Sequence, residues 1–262
     1  MNHRPRKRFG QHFLTAPDVI EQIVAAVSPR QGETIVEIGP GLAAITAPLA
    51  QLASELHAIE FDRDLAASLR KRYAGQPNVT IHEADALKFD FSSLGKNLRI
   101  VGNLPYNIST PLLFHLLEHK SCIADAHFML QKEVVDRMCA TPGSKNFGRL
   151  TIMLGCQMEV IPLFDVPPTA FSPPPKVMSA VVRMRPIPEP GVDVHDTQLL
   201  ATIVRSAFSR RRKTLRNALQ GVVEAGEMTG VGIDPGLRPE QVPIDAWVAL
   251  ANYVATNQSA EN

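Results

Sequence analysis

The residues of this chain best suited to chemistry are Asn103-Leu104-Pro105-Tyr106, which lie between an apolar run and a helical pattern. The Asn103 side-chain oxygen and the Leu104 carbonyl can each accept a hydrogen bond from an exocyclic amine. Pro105 fixes its own φ angle and favours an extended Leu104, which helps to aim that carbonyl. Tyr106 offers a ring face on which an unstacked base can lie. The tetrapeptide therefore predicts a slot for a flat base bearing an NH₂ group, although Asn and Pro also favour ordinary turns.

Short apolar runs that alternate with helical patterns must position this slot. Alternation at this spacing predicts right-handed βαβ units and a parallel sheet with helices on both faces. Two later strand patterns, at 158–166 and 177–184, are expected to add an antiparallel pair to one edge of the sheet. The other predicted strands are 34–38, 56–59, 79–81, 98–101 and 126–130, and the predicted helices between them are 43–53, 64–73, 111–118 and 132–140.

A Pro- and Gly-rich stretch at 186–191 marks a change in the pattern of the chain. Beyond it the apolar spacing is helical, over 197–208, 213–223 and 244–256. We therefore predict an α/β domain over residues 1–187 and a small all-helical domain over residues 188–262.

Three successive predicted strands end in residues that are typical of a ligand site. Gly39 and Gly41 form a strand-to-helix turn that allows a ligand to approach the backbone closely. Glu60, at the end of the second strand, is placed to accept hydrogen bonds from both hydroxyls of a ribose. Asp85, beside Ala86 after the third strand, can accept from an adenine amino group. Because open α/β sheets bind ligands at the carboxyl edge of their strands, these residues predict a nucleoside site.

The same residues favour a particular nucleoside. Ala43 and Ala44 interrupt the GxGxxG pattern of dinucleotide-binding folds, and the chain has neither a Walker sequence nor a zinc-type spacing. A nucleoside-binding sheet with these properties predicts S-adenosylmethionine as cofactor, with Asn103 beside its sulfonium and no metal ion.

Charge and composition favour a nucleic-acid partner inside the cell. The net charge of +1 conceals two acid-free basic stretches, with four Lys and Arg residues in 3–17 and six in 205–216. Stretches of this kind suit phosphate backbones. Because no apolar run is long enough to span a membrane, we expect the protein to have no membrane partner. The spacing of Cys122, Cys139 and Cys156 predicts reduced core thiols and a cytoplasmic location.

Over nearly its whole length the sequence resembles the small-subunit ribosomal RNA adenine dimethyltransferase family. The resemblance is carried by the segments 8–14, 37–42, 103–110, 171–177 (Phe-Ser-Pro-Pro-Pro-Lys-Val) and 208–217. It implies a Rossmann-like class I methyltransferase fold and transfer of methyl groups to N6 of two adjacent adenosines in a hairpin loop near the 3′ end of the RNA. S-adenosylhomocysteine is then the product, and a role in small-subunit maturation is implied.

The resemblance also implies roles for individual residues and domains. His12, which is Asn in many relatives, and Leu14 contact the cofactor, while Phe171 forms a second aromatic wall for the target base. Ala43 occupies a position that is commonly Gly in the family. The first domain is then catalytic and the helical domain binds RNA. The residues expected to contact the RNA backbone are Arg210, Arg211, Arg212, Lys213 and Arg216.

Three other functions remain open on the sequence alone. A large-subunit RNA adenine methyltransferase shares the Asn-Leu-Pro-Tyr tetrapeptide, but the segments 171–177 and 208–217 favour the small subunit. DNA adenine methyltransferases typically carry a second Pro in place of Leu104. A non-catalytic assembly factor is disfavoured by the intact set of Glu60, Asp85 and Asn103. We expect a monomer that binds the assembling small subunit.

Overall fold

The computed structural model describes residues 12–188 and 193–260. Contacts divide the chain into two compact units. Unit 1 comprises the described part of Met1–Val135 together with Ile161–Pro186, and unit 2 comprises Asp136–Val160 and the described part of Ile187–Asn262. The boundary predicted after residue 187 lies next to the start of the second segment of unit 2. Residues 136–160 also pack with the C-terminal helices, which the sequence pattern did not indicate.

The elements follow one another in the order that the alternating pattern predicts for most of unit 1. The strands are β1 (Phe13–Leu14), β2 (Thr34–Ile38), β3 (Glu55–Glu60), β4 (Val79–Glu83), β5 (Leu98–Asn103), β6 (Ile123–Gln131), β7 (Met158–Val166), β8 (Phe171–Ser172) and β9 (Ser179–Pro186). The helices are α1 (Pro17–Val27), α2 (Thr46–Leu52), α3 (Arg63–Tyr73), α4 (Ser109–Glu118), α5 (Lys132–Met138), α6 (Arg149–Gly155), α7 (Thr197–Ser209), α8 (Leu215–Ala218), α9 (Ala225–Gly230) and α10 (Ile244–Ala260).

Seven of the strands form one sheet in the order β4-β3-β2-β5-β6-β9-β7. Strand β2 is parallel to β3 and β5, β3 to β4, and β5 to β6, whereas β9 is antiparallel to β6. The predicted parallel sheet is confirmed, and the late strands lie at one edge as expected. Since β2 to β5 all point the same way, their carboxyl ends form a single edge.

Apolar periodicity explains why these elements pack together. Strand β2 is buried along most of its length because helices cover both faces of the sheet. Helix α1 buries Val19, Ile23 and Val27, which recur every four residues and so lie on one face. Helix α3 begins at Arg63 and is capped by Asp62, whose side chain accepts a hydrogen bond from the Asp64 N–H.

The second predicted helix of the C-terminal region is wrong in extent. The pattern over 213–223 predicted three turns, but only Leu215–Ala218 is helical. Gly221 has a φ of 78°, in the left-handed region, which ends any continuation of the helix. Helix α1 and the short helix α9 were not predicted.

Unit 2 has its own core around the tryptophan of α10. Trp247 is fully buried, and its ring lies 6.0 Å from the ring of Phe208 on α7. Helix α7 contributes Leu200, Ile203 and Val204 to the buried side chains. A helical core of this kind is what the pattern beyond the linker predicted.

The three cysteines form no disulfide with one another; Cys122 and Cys156 are buried, as expected of core thiols, whereas Cys139 is half-buried. Their reduced state stays a prediction. Within residues 12–188 and 193–260, no helix combines the length and apolar character needed to cross a membrane.

Candidate active site

A cavity of about 400 Å³ lies in unit 1 at the carboxyl edge of strands β2 to β5. The parallel topology brings the predicted ligand residues into it from the end of each strand. Of the residues predicted to act in catalysis or cofactor binding, those lining the cavity are His12, Leu14, Gly39, Gly41, Glu60, Asp85, Ala86, Asn103, Leu104 and Tyr106. Phe171 is the predicted residue that does not line it.

Glu60 holds the glycine turn against the end of β3. One carboxylate oxygen accepts a hydrogen bond from the Gly41 N–H at 3.1 Å, and the other accepts from the Asp62 N–H at 2.8 Å. The side chain is 6% exposed. Burial raises the pKa of Glu60, and the two backbone N–H groups oppose that rise. The carboxylate is therefore fixed in place before any ligand binds.

The turn after β2 places three residues in the left-handed region, with φ of 70° at Gly39, 56° at Gly41 and 68° at Ala43. A side chain at Gly41 would begin 3.2 Å from the Phe13 ring, so this position requires glycine. Alanine in the left-handed region costs about 1 kcal/mol, while burial of the Ala43 methyl group contributes about 0.8 kcal/mol. The near cancellation explains why Ala43 is tolerated. The left-handed conformation of Ala43 also delays the start of α2, which begins at Thr46 rather than at the predicted residue 43.

Glu37 lines the cavity, although its only distinguishing feature in the sequence is that it precedes the glycine motif. It is 2% exposed, and one of its carboxyl oxygens has no hydrogen-bond partner. Burial raises the pKa of Glu37 to about 7, with contacts to Thr46 opposing the rise and the Glu60 charge adding to it. A buried, partly unsatisfied carboxyl in a ligand cavity is a functional candidate.

This raised pKa predicts a stability change in Glu37→Gln. As pH rises from 4.5 to about 7, unfolded Glu37 ionises while the folded form keeps its proton, so the wild-type protein loses stability across that window. Glutamine carries no charge, and we expect Glu37→Gln to be more stable than wild type by up to about 3 kcal/mol above that window. Urea unfolding at pH 8 and near pH 4.5 measures the difference. A difference that does not shrink at the acidic pH would contradict the assignment.

The lining of the cavity is acidic. It contains Glu37, Glu60, Asp62 and Asp85, and no Lys or Arg is among the described lining residues. Such a lining favours a cationic ligand and disfavours a pyrophosphate.

Asn103 and Leu104 each have one polar group committed to the protein and one free for a ligand. The Asn103 amide nitrogen donates to the His12 carbonyl at 3.1 Å, which leaves the amide oxygen as an acceptor. The Leu104 N–H donates to the Met129 carbonyl at 3.2 Å. Gly102 permits this packing, because a Cβ there would lie 2.7 Å from the Ile38 carbonyl oxygen.

The N-terminal segment and the Pro-rich loop meet beside Tyr106. Strands β1 and β8 pair, with Leu14 opposite Phe171. The His12 Nδ1 lies 2.7 Å from the Pro173 carbonyl oxygen, and the His12 ring stacks on Tyr106 with centroids 5.8 Å apart. The described residues 12–14 therefore meet residues of 103–110 and 171–177, although the three segments are far apart in sequence.

The family described as "Ribosomal RNA adenine dimethylase" matches this chain over residues 2–256. The chain belongs to this family. A protein of Aromatoleum aromaticum named "Ribosomal RNA small subunit methyltransferase A" is 54% identical over 253 residues, which cover 97% of this chain and 95% of that protein. A protein of the same name from Thiobacillus denitrificans is also 54% identical, over 254 residues that cover 97% and 99% of the two chains.

Two solved structures share the fold of this dimethylase. A dimethyladenosine transferase from Plasmodium falciparum superposes with a TM-score of 0.80 at 27% identity, covering 95% of this chain and 98% of that one. The 23S rRNA methyltransferase ErmE superposes with a TM-score of 0.71 at 25% identity, covering 93% and 99%. The predicted Rossmann-like class I methyltransferase fold is confirmed.

Phe171 of this dimethylase is placed differently from the predicted wall of the base slot. Its side chain is 5% exposed and packs in the hydrophobic core with Leu14. Phe171 does not line the cavity, and its contact with a target base stays a prediction.

Phe61 is a candidate that sequence reasoning missed. It follows Glu60, lines the mouth of the cavity and is 60% exposed. A large aromatic side chain left exposed at the rim of a cavity is a ready surface for a flat ligand. Its position in the sequence, directly after Glu60 at the end of β3, could have identified it.

The basic residues of 210–216 do not share one environment within unit 2. Arg211 is half-buried, donates to the Ser144 carbonyl at 3.3 Å and lies 3.5 Å from the Glu240 carboxylate. The exposed members of the set are Arg210, Arg212, Lys213 and Arg216. Within the described ranges, no three or more His, Cys, Asp or Glu side chains are grouped as metal ligands.

Proposed function

We propose that this dimethylase transfers methyl groups from S-adenosylmethionine to N6 of two adjacent adenosines in a hairpin loop near the 3′ end of small-subunit ribosomal RNA. The convergence of the Asn103 and Leu104 acceptors with Tyr106 at the rim of an acid-lined nucleoside cavity carries this proposal. The 54% identity to curated proteins named for small-subunit RNA methylation supports the substrate.

The residues of the cavity fit S-adenosylmethionine. Its sulfonium and ammonium groups are cations, and the four carboxyls of the lining complement them. Glu60 is suited to the ribose hydroxyls, Asp85 to the adenine amine, and the unsatisfied oxygen of Glu37 to a cationic donor. The glycine turn allows the ligand to approach the backbone. When bound, S-adenosylmethionine supplies the electrophilic methyl group.

Asn103 and Leu104 prepare the target amine for attack. The adenine amine is a poor nucleophile because its lone pair is delocalised into the ring. The Asn103 side-chain oxygen and the Leu104 carbonyl bind its two hydrogens and favour a pyramidal nitrogen. Since the nitrogen is positively charged and strongly acidic after methylation, it loses its proton to water and a strong base is not required. Alignment and fixed dipoles therefore supply most of the catalysis.

Tyr106 holds the base outside its RNA stack. Extrusion costs a few kcal/mol, and stacking on the ring offsets part of that cost. Phe171 is proposed as the opposite wall, which requires its buried ring to become exposed when RNA binds.

We assign RNA binding to the basic helical region of unit 2, with the residues of unit 1 carrying the chemistry. The partner is the assembling small subunit, the protein acts as a monomer, and the compartment is the cytoplasm. Cysteines that form no disulfide with one another are consistent with that compartment.

Because the basic residues of 210–216 have two different environments, we expect substitutions among them to have two different effects. Replacing Arg212, Lys213 and Arg216 by glutamine should weaken RNA binding and flatten its logarithmic salt dependence by about 2 units, because three phosphate contacts are lost. Arg211→Gln should instead lower the melting temperature and leave the salt slope unchanged, since Arg211 is bound to Ser144 and Glu240. Filter binding at several salt concentrations distinguishes them. An unchanged slope in the triple variant would place the RNA contact elsewhere.

A large-subunit RNA substrate is the second candidate, because ErmE shares the fold of this chain. Offering unmethylated small subunits, large-subunit RNA and DNA separately with labelled S-adenosylmethionine tests the choice. The proposal requires transfer to small subunits. Transfer to either other substrate alone would replace it, and tight subunit binding without transfer would favour an assembly factor.

A further inference from the structure

The Tyr106 hydroxyl is held by a residue outside the cavity lining. It lies 3.0 Å from the hydroxyl of Ser179, within hydrogen-bonding distance. Ser179 is 1% exposed and is the first residue of β9. It follows the Pro-rich segment 171–177 by two positions, so that segment leads directly into the residue that contacts Tyr106.

The sheet fixes Ser179 and the tetrapeptide to the same end of one strand. Ser179 pairs with Gln131 at the end of β6. Two residues earlier on β6, the Met129 carbonyl accepts the Leu104 N–H. Tyr106 and Ser179 are 73 residues apart in sequence, yet both are anchored to the end of β6. The hydroxyl of Ser179 is therefore a rigid point from which the ring of Tyr106 can be held.

We propose that Ser179 is a positioning residue that fixes where the ring of Tyr106 lies for stacking of the target adenine. This rests on the proposed function, in which Tyr106 stacks that base. The hydroxyl oxygen of a tyrosine lies on the χ2 axis, so a hydrogen bond to it restrains χ1 and the place of the ring, whereas the groups packed on its faces set the ring plane. A hydrogen bond between this hydroxyl and a buried partner removes the positional freedom of the ring before the base arrives. On one face the ring is covered by His12, at an interplanar angle of 29°.

A double-mutant cycle tests the assignment. Ser179→Ala and Tyr106→Phe remove the same hydrogen bond from its two ends. Each single variant should lower the turnover number on small subunits by about tenfold, and the double variant should be no slower than the slower single variant. The KM for S-adenosylmethionine should not change. Losses that multiply in the double variant would overturn the proposal, as would a Ser179→Ala variant that is less stable but turns over normally.

Ser109 provides the matched control. It is also a buried serine bonded to Tyr106, but its hydroxyl donates to the Tyr106 backbone carbonyl at 3.1 Å. Because the Tyr106 hydroxyl takes no part in that contact, the effects of Ser109→Ala and Tyr106→Phe should multiply. A non-multiplicative result for both serines would mean that the cycle reports general damage, and it would overturn the specific role of Ser179.

A second measurement is independent of the RNA substrate. The chain has three tyrosines, so ring-labelled tyrosine gives few NMR signals and Tyr106→Phe identifies the one from Tyr106. Ser179→Ala should shift and broaden this signal, whereas Ser109→Ala should leave its width unchanged. An unaltered Tyr106 signal in Ser179→Ala overturns the positioning role whatever the activity. A wild-type protein inactive on small subunits overturns the proposed function instead, and the ring signal then still decides whether Ser179 holds Tyr106.

Discussion

Replacing Asn103 by alanine is expected to lower the turnover number for methyl transfer by about 10²–10³-fold and to change RNA affinity little. In the proposed mechanism the Asn103 oxygen accepts from the target amine, while its nitrogen donates to the His12 carbonyl. Alanine removes an acceptor that becomes important as the nitrogen turns pyramidal. The backbone carbonyl of Leu104 remains, and the base still stacks on Tyr106. The loss therefore falls on the transition state more than on binding.

Single-turnover rates and RNA affinities of wild type and Asn103→Ala measure this separation. Asn78→Ala is the matched control, because the Asn78 amide donates to the carbonyls of Ala50 at 2.9 Å and Ala53 at 3.0 Å, away from the cavity. It should reduce stability and leave the rate of the folded enzyme unchanged. Equal losses of rate and RNA affinity in Asn103→Ala would contradict the acceptor role.

Glu60→Gln is expected to weaken binding of S-adenosylmethionine by about 10²-fold, which is about 3 kcal/mol. Both oxygens of the Glu60 carboxylate already accept backbone N–H groups, from Gly41 and Asp62. Glutamine keeps one acceptor oxygen and turns an NH₂ group towards a backbone donor, so the glycine turn and the ribose contacts are damaged together. Hydrogen bonds to a buried charge are stronger than neutral ones, which makes this loss large.

Calorimetry with S-adenosylmethionine and S-adenosylhomocysteine measures the affinity. Glu83 is a matched control, because it pairs with Glu60 on the neighbouring strand but binds Arg63 and Arg70 and does not line the cavity. Glu83→Gln should bind both ligands normally. Because burial raises the pKa of Glu60 and the ionised form binds, wild-type affinity should fall on acidification and Glu60→Gln should respond less. Equal weakening of ligand binding in the two variants would contradict the role of Glu60 in binding the ribose.

The convergence of the strand-end residues in one cavity was predictable because parallel strands end at one edge of the sheet. Gly39, Glu60, Asp85 and Asn103 each follow or end an apolar run of the correct length, and β2 to β5 bring them into one cavity. The alternation of strands and helices fixes the direction of the strands, and a common direction is enough to bring their ends together.

Contacts between distant segments were not predictable in this way. The pairing of Ser179 with Tyr106 depends on β9 lying next to β6, which no local pattern specifies. Arg211 resembled its basic neighbours in sequence, but its position beside Ser144 and Glu240 gives it partners inside unit 2. Glu37 acquires its raised pKa from burial by the whole α/β layer. Such properties arise from tertiary packing, which overrides local signals.

Nucleoside analysis of small subunits methylated by this protein tests its central activity most directly. Unmethylated subunits would be incubated with labelled S-adenosylmethionine, and the modified positions would be mapped by mass spectrometry of nuclease fragments. We predict N6,N6-dimethyladenosine at two adjacent positions in a hairpin loop near the 3′ end, with transfer nearly abolished by Asn103→Ala. Modification confined to monomethyladenosine, to other positions or to large-subunit RNA would contradict the proposed function.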